Sequence, residues 1–315
     1  MMRAFLLGAG LGTRLRPLTW HLPKPLIPFR NSPLLDCALG HLAAAGVGEF
    51  VINTHHLPEA YPSAYPDAQW QGRPIHFRHE PVVLETGGGL ANVRDLLDGT
   101  ESFFVYNGDV LTDLPLAPAL QHHRESGNLV TLILRSSGPV RNVAMDRATG
   151  RLVDVRNARG TNHPDLFQFT GLYLVHPEFF RWLPPAGTVE SVVHAWLRAI
   201  DSGAPLGGYL ADEGLWLDLG DRASYLASHC ISDAFPAWRT SPEPISRIHP
   251  EARVHASATI DATSAVAADA TVGSGADLHN TIVWRGGIVA PGARLSRCVV
   301  LPNSVAEGCL MDADI

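Results

Sequence analysis

Apolar residues along the first 240 positions fall into short blocks that alternate between two periods. Continuous apolar runs at Arg3–Leu7 and at residues 50–53, 75–78, 103–106 and 129–134 have the length and flanking residues of buried strands. Between them, residues 34–45, 89–97 and 116–125 carry helical spacing, the first ending at Gly46. Residues 167–175, 189–200 and 215–217 read as strands and a helix that complete the layer. This alternation predicts an α/β fold with a mostly parallel sheet covered on both faces. Such sheets bind ligands beyond the carboxyl ends of their strands.

The pattern changes after residue 240. Ser241-Pro242-Glu243-Pro244 reads as a linker. Beyond it an aliphatic residue recurs every six positions, at Ile248, Val254, Ile260, Val266, Val272 and Leu278. That spacing is neither helical nor strand alternation; it is the mark of a solenoid in which each hexapeptide forms one side of a prism. The phase slips near Trp284-Arg285-Gly286-Gly287, which predicts a loop or bulged corner, and Val289, Leu295 and Leu301 resume it. The segment resembles the left-handed parallel β-helix of hexapeptide-repeat proteins. The expected organisation is therefore a Rossmann-like α/β domain over residues 1–240 and a linker plus β-helix over 241–315.

Charge narrows the function. The 315 residues carry a net charge of −7, which argues against a general nucleic-acid binder. Of the 24 basic residues, Lys24 is the one lysine; the rest are arginine. A site that keeps a lysine against that background needs a compact ammonium rather than a planar fork. Cys37, Cys230, Cys298 and Cys309 are scattered without a CxxC pair, which suits a reducing cytoplasm. No apolar run reaches the roughly 18 residues of a membrane span, so no membrane partner is expected. The opening apolar stretch ends in Thr13-Arg14-Leu15-Arg16 and reads as a first strand, not a signal peptide.

The candidate chemistry begins directly after that strand, at Leu7-Gly8-Ala9-Gly10-Leu11-Gly12-Thr13-Arg14-Leu15-Arg16, with Pro23-Lys24-Pro25 downstream. Small residues let backbone N–H groups approach phosphate closely, and Arg14, Arg16 and Lys24 supply charge. Residues 1–36 hold five cations and one acid, so the chain is basic at this one place. A dinucleotide fingerprint would need glycine where Thr13 stands, and a Walker loop would need glycine before Lys24. His55-His56 and His122-His123 lack a third ligand nearby in sequence and read as loop and helix surface. The seven tryptophans read as core and rim.

The stretch from Gly8 to Pro25 resembles the signature of sugar-1-phosphate nucleotidylyltransferases, and the resemblance extends over essentially the whole chain. It implies an enzyme joining an NTP, either UTP or GTP, to a sugar 1-phosphate with release of pyrophosphate. It implies catalytic roles for Arg14, Lys24 and Asp109, and a Mg²⁺ or Mn²⁺ ion on Asp109 and Asp218, with Asp221 and then Asp113 as alternatives. Leu7, Gly8, Ala9, Gly10, Gly12, Thr13 and Arg14 would bind the nucleotide. Glu80, Thr86, Gly87 and Gly88 would read its base, beside Asn107 and Gly108. Lys24, Thr170 and Gly171 would border the sugar phosphate. The Glu-Lys-Pro motif of many relatives is missing, and Arg156 or Arg159 stands in its interval. Leu84-Glu85-Thr86-Gly87-Gly88-Gly89 and the run from Asn107 to Asp113 are most similar to N-acetylmuramate-1-phosphate uridylyltransferases, which predicts uridylyl transfer to that sugar or a related hexose 1-phosphate. The repeat tail is more similar to mannose-1-phosphate guanylyltransferases, which makes guanylyl transfer to mannose or heptose 1-phosphate the alternative. A non-catalytic regulatory subunit is the alternative of another class. The tail is expected to mediate homo-oligomer assembly or regulation and to stand outside the chemistry.

Overall fold

The computed structural model describes residues 1–99, 101–231 and 246–315, so the linker expected at 241–244 and the boundary at 240/241 lie outside the described residues. The chain forms two compact units, Met1–Leu11 with His41–Trp216, and Gly12–Gly40 with Leu217–Ile315.

The first unit is an α/β body built on one large mixed sheet. Its principal strands are β1 (Arg3–Leu7), β2 (Glu49–Thr54), β3 (Arg73–His79), β4 (Phe103–Asn107), β5 (Val130–Arg135), β6 (Arg141–Met145), β7 (Leu152–Val155), β8 (Leu166–Val175) and β9 (Leu206–Leu210). β4, β1, β2 and β3 lie side by side in that order and run parallel. Their interiors are apolar on both faces because helices and loops cover the sheet; Ala4, Phe5 and Leu6 are fully buried. Phe5, Val51 and Val105 pack with Leu90, Val93 and Leu97 in the main core.

The sheet is less parallel than its sequence pattern suggests. β8 runs antiparallel to β4, β5 and β6, and β6 pairs antiparallel with β7. The β6–β7 hairpin was not foreseen, because its strands are short and mix arginine, asparagine and aspartate with their apolar positions. Gly171, with φ 84°, sits at the irregularity in the β8–β5 pairing, between the part of β8 that pairs with β6 and the part that pairs with β4. The helix Glu85–Asn92 starts earlier than the expected residue 89, so Gly87 and Gly88, expected before it, lie inside it. The helix Val192–Asp201 starts later than expected, at a Ser191 cap whose hydroxyl accepts from the Val193 amide.

The second unit contains a parallel β-helix whose short strands stack into three ladders. Arg253 pairs with Thr271 and Thr259 with Asp277, 18 positions on, whereas Ala265 pairs with Ile282 and Thr271 with Ile288, 17 positions on. The expected phase slip is thus a corner shortened by one residue, and it falls before Trp284. Asn280, at φ 43°, makes that corner, and Arg297 at φ 54° occupies the equivalent place one coil later. Val266, Val272, Leu278, Val289 and Leu295 point inward as expected, and Val283 and Val300 take the inward place after each short corner. Ile248, 41% exposed, and Leu301, whose inward place Val300 takes, are the exceptions among the repeat positions.

Segment 12–40 is fastened to this solenoid within the same unit. The Tyr225 hydroxyl donates to the Pro28 carbonyl at 2.7 Å and accepts from Trp284 Nε1 at 3.1 Å. Asn31 Nδ2 donates to the Ser246, Arg247 and Val266 carbonyls. The tail is therefore bonded to the segment that carries Lys24, which the expectation of a separate tail did not anticipate.

Candidate active site

In the first unit, the site grows from the carboxyl ends of β1, β2 and β4. Leu7 is the register partner of both Asn53 and Asn107, so these residues end their strands in line. The chain then leaves as Gly8 from β1 and Gly108-Asp109 from β4. The Gly108 amide donates to the Leu7 carbonyl at 3.1 Å. Gly8 is required by packing: a Cβ there would meet the Asn53 carbonyl at 2.6 Å. Its amide donates to Asn53 Oδ1 at 2.8 Å, and its carbonyl accepts from the Tyr61 hydroxyl. Gly10 is exposed with open space around a Cβ, the arrangement expected of a loop that a ligand approaches. Ala9 is buried beneath it. Asp109, half-buried, lies on the loop between Asn107 and the short strand Val110–Thr112.

Four predicted base contacts make hydrogen bonds within the fold. Glu80 is fully buried. Its Oε1 accepts from Asn53 Nδ2 at 2.7 Å and its Oε2 from the Leu84 amide at 3.0 Å, so it clamps its own loop to β2. The Gly87 and Gly88 amides both donate to the Glu190 carbonyl, at 2.8 and 2.9 Å. A Cβ on Gly88 would stand 2.0 Å from the Thr188 carbonyl oxygen, so this glycine admits the crossing chain. The Thr86 hydroxyl likewise accepts from the Val192 amide.

Two other assignments change in the same way. Thr170 is fully buried, its hydroxyl donating to the Ile133 carbonyl and its own carbonyl accepting from Trp216 Nε1. It shapes β8. Asp113 accepts from the Leu215 amide and lies against Gly214, so it joins two segments of the chain. A Cβ on Gly171 would meet Asn107 Nδ2 at 2.9 Å.

The interval without a Glu-Lys-Pro motif forms a turn held by Asp154. Burial would raise the Asp154 pKa, but hydrogen bonds from Arg159, Thr161 and Val155 more than offset that and hold it below the usual carboxylate value. The turn presents Arg156 at φ 59°. Arg159 is taken up by Asp201 and the Val153 carbonyl, whereas Arg156 lines a cavity of about 220 Å³ together with Leu7, Asn107, Asn142 and Gln168. Among the lining residues Arg156 is the one with a charge.

In the second unit, Gly12 adopts φ 60° and caps the turn Thr13–Leu15. A Cβ on it would meet Thr19 at 2.8 Å and the Lys24 Cβ at 3.3 Å, so glycine here lets the loop close against Lys24. Lys24 is 8% exposed and opens the turn Lys24–Leu26. Thr13 and Arg14 are exposed. The Arg14 guanidinium lies against Gly220, where a Cβ would approach Nη2 to 2.9 Å. This joins the arginine to the segment Asp218-Leu219-Gly220-Asp221. Asp218 is exposed. Asp221 caps the helix Arg222–Ser228, and hydrogen bonds from Ser224 with the nearby Arg14 charge lower its pKa, so its carboxylate is committed to the cap.

Among the described residues, no three His, Cys, Asp or Glu side chains come together as a metal-binding group. Mg²⁺ bound through one or two carboxylates and phosphate oxygens does not require one, and Asp109 in the first unit and Asp218 in the second each offer the hard oxygen donors it takes. The histidine pairs have structural partners: His55 bonds the Glu80 carbonyl, and His123 bonds Thr131 and Ser102. Asn53 was missed by sequence reasoning; the one signal was an amide side chain ending an otherwise apolar strand.

Residues 3–233 match the Nucleotidyl transferase family. A mannose-1-phosphate guanylyltransferase from Mycobacterium tuberculosis is 30% identical over 98% of this chain and 82% of its own length. A UTP–glucose-1-phosphate uridylyltransferase from Synechocystis is 28% identical over 71% of this chain and 61% of its own length. Among solved structures, a Bacillus anthracis protein titled a glucose-1-phosphate thymidylyltransferase shares the fold, with a TM-score of 0.63 at 19% identity, over 76% of this chain and 98% of its own.

Proposed function

The chain belongs to the nucleotidyl transferase family and is a sugar-1-phosphate nucleotidylyltransferase, and from that premise we propose that it transfers a guanylyl group from GTP to mannose 1-phosphate. The observation that carries the choice is the relative that matches 98% of the chain, repeat tail included. It favours the guanylyl alternative over uridylyl transfer to N-acetylmuramate 1-phosphate. The presence of Arg14, Lys24, Asp109 and Asp218 together supports an enzyme over a regulatory subunit.

In the proposed reaction an oxygen of the sugar phosphate attacks the α-phosphorus, and the bond from that phosphorus to the β-phosphate oxygen breaks. Pyrophosphate leaves, and no covalent intermediate with the protein is needed. Catalysis then comes from positioning and from charge stabilisation. Gly8, Ala9, Gly10, Gly12 and Thr13 supply the loop that receives the triphosphate, Leu7 and Asn107 its floor. Arg14 holds the departing pyrophosphate. Lys24 spans the α-phosphate and the sugar phosphate, with Arg156 in place of the missing lysine. Asp109 and Asp218 would hold a Mg²⁺ or Mn²⁺ ion, whose chemistry there is neutralisation of phosphate charge. Glu80, Thr86, Gly87 and Gly88 act indirectly, by fixing the loop and helix beside the base.

The test is pyrophosphate release from each of GTP, UTP, ATP, CTP and dTTP against mannose, glucose, heptose and N-acetylmuramate 1-phosphates. GTP with mannose 1-phosphate is expected to give the highest kcat/KM. A preference for UTP with N-acetylmuramate 1-phosphate would replace this reading with the other.

A further inference from the structure

The three atoms that a Cβ on Gly220 would meet first all belong to Arg14: Nη2 at 2.9 Å, and Cζ and Nη1 both at 3.2 Å. The three approaches are similar, so the guanidinium head lies across the glycine rather than aiming one N–H at it. Conformation does not call for glycine here. Gly220 lies outside the left-handed region that Gly12 and Gly171 adopt. It is a glycine kept for space, and the space is filled by a side chain proposed to act on the substrate.

The two sides of this contact differ in how freely they move. Gly220 is buried, between the fully buried Leu219 and Asp221, whose carboxylate caps the helix Arg222–Ser228. That helix is bonded to the solenoid: Arg222 Nε donates to Asp314 Oδ1 at 2.7 Å, and its Nη2 donates to the Arg297 and Ala313 carbonyls. Arg14 is exposed on the turn Thr13–Leu15. A methyl group added at position 220 therefore displaces the arginine and leaves the floor where it is. Ordinary carbon contacts lie at about 3.5–4.0 Å, so the guanidinium would retreat by roughly 0.5–1 Å. The Arg14 charge also helps to lower the Asp221 pKa, after the hydrogen bonds from Ser224, so the two groups attract each other beside the glycine.

We propose that Gly220 is a positioning residue: its bare backbone is the seat that aims the Arg14 guanidinium at the departing pyrophosphate. The inference rests on the role proposed for Arg14 and adds what holds that arginine in place. Stabilising a leaving group needs donors that are fixed before its charge develops. An arginine on an exposed turn has many rotamers, and a closed floor beside a carboxylate selects among them. The seat serves the pyrophosphate side of the reaction. Its loss falls on the chemical step and on pyrophosphate, and leaves the sugar-phosphate contacts proposed for Lys24 and Arg156 in place.

Gly220→Ala, Arg14→Ala and the double variant form the test, each beside a thermal melt. Rates are read forward and in reverse, where a pyrophosphate oxygen attacks the α-phosphorus of GDP-mannose, the bond to the sugar phosphate oxygen breaks, and GTP and mannose 1-phosphate leave. Gly220→Ala is expected to lower forward kcat and to raise the KM for pyrophosphate, each by roughly fivefold to fiftyfold, since a misplacement of about 1 Å costs up to roughly 10²-fold. The KM for mannose 1-phosphate should stay within twofold. In the Arg14→Ala background the same substitution should change each value by less than twofold. Wild-type rates in Gly220→Ala overturn the inference, and so does an equal loss in both backgrounds, which marks a merely structural effect. Should Gly220→Ala not fold, Asp221→Asn keeps a capping side chain and removes the charge beside Arg14. It is expected to raise the KM for pyrophosphate about threefold with Arg14 present and not in its absence, and an unchanged KM overturns the inference. A wild type that forms no nucleoside triphosphate from any nucleotide sugar refutes the proposed function and the inference with it, whereas an active wild type without coupling between positions 14 and 220 refutes the inference alone.

Discussion

Asn53 Nδ2 donates to Glu80 Oε1 at 2.7 Å, and the two side chains together tie three loops at one edge of the site. Asn53 Oδ1 takes the Gly8 amide, and Glu80 Oε2 takes the Leu84 amide. The glycine loop after β1, the end of β2 and the loop before helix Glu85–Asn92 thus share one buried hydrogen-bond chain. Asn53→Ala is expected to destabilise the protein by about 2–3 kcal/mol, because a buried carboxylate loses a partner and the Gly8 amide loses its acceptor. Urea denaturation at neutral pH measures it. Gln at position 53 cannot restore the geometry, whereas a midpoint equal to wild type for Asn53→Ala would show that the chain is not cooperative.

Lys24→Arg should leave the protein folded and nearly inactive. Lys24 is 8% exposed with its Cβ against the Gly12 turn, and a guanidinium is bulkier and directs its donors in a plane. Loss of one transition-state phosphate contact costs about 3–4 kcal/mol, or roughly 10²–10³ in kcat. Steady-state rates beside a thermal melt decide the matter, and activity within threefold of wild type contradicts the role.

The fastening of segment 12–40 to the solenoid predicts that the tail matters to turnover. Tyr225→Phe removes the bond to Pro28 and strands Trp284 Nε1, while leaving every proposed substrate contact in place. Activity should fall by about threefold to tenfold with the KM for the sugar phosphate less affected than kcat. Unchanged kcat would mean that the solenoid and the Lys24 segment are coupled in structure but not in function.

Stability should fall as pH drops from 6.5 toward 4. Burial lowers the pKa of His41, His123 and His229 from 6.5 to about 4 in each case. Between those values the unfolded chain binds more protons than the folded one, so stability decreases with falling pH through that window. His41 illustrates the cause: its ring is buried between the Tyr106 hydroxyl and the Leu114 carbonyl and is built for the neutral form. Urea midpoints at pH 7 and pH 5 test this, and a higher midpoint at pH 5 would contradict it.

Much of the scaffold was legible in sequence because burial on both faces writes continuous apolar runs, as in Phe103 to Tyr106. The six-residue period exposed the solenoid for a similar reason, since each inward position needs an aliphatic side chain. The β6–β7 hairpin was hidden because its strands are short and set Arg141, Asn142 and Asp154 among their apolar positions. The internal hydrogen bonds of Glu80, Gly87, Gly88 and Thr170 were not legible, because a sequence shows which groups could touch a ligand, not which are already bonded to the chain.

The central claim is transfer of the guanylyl group, through its α-phosphorus, to a sugar phosphate. Its most direct test follows GTP labelled at the α-phosphorus with mannose 1-phosphate and Mg²⁺. The account predicts that the label moves into a nucleotide sugar and that one pyrophosphate appears for each molecule formed. Label recovered as free GMP or GDP, with no nucleotide sugar from this or any other sugar 1-phosphate, would contradict it.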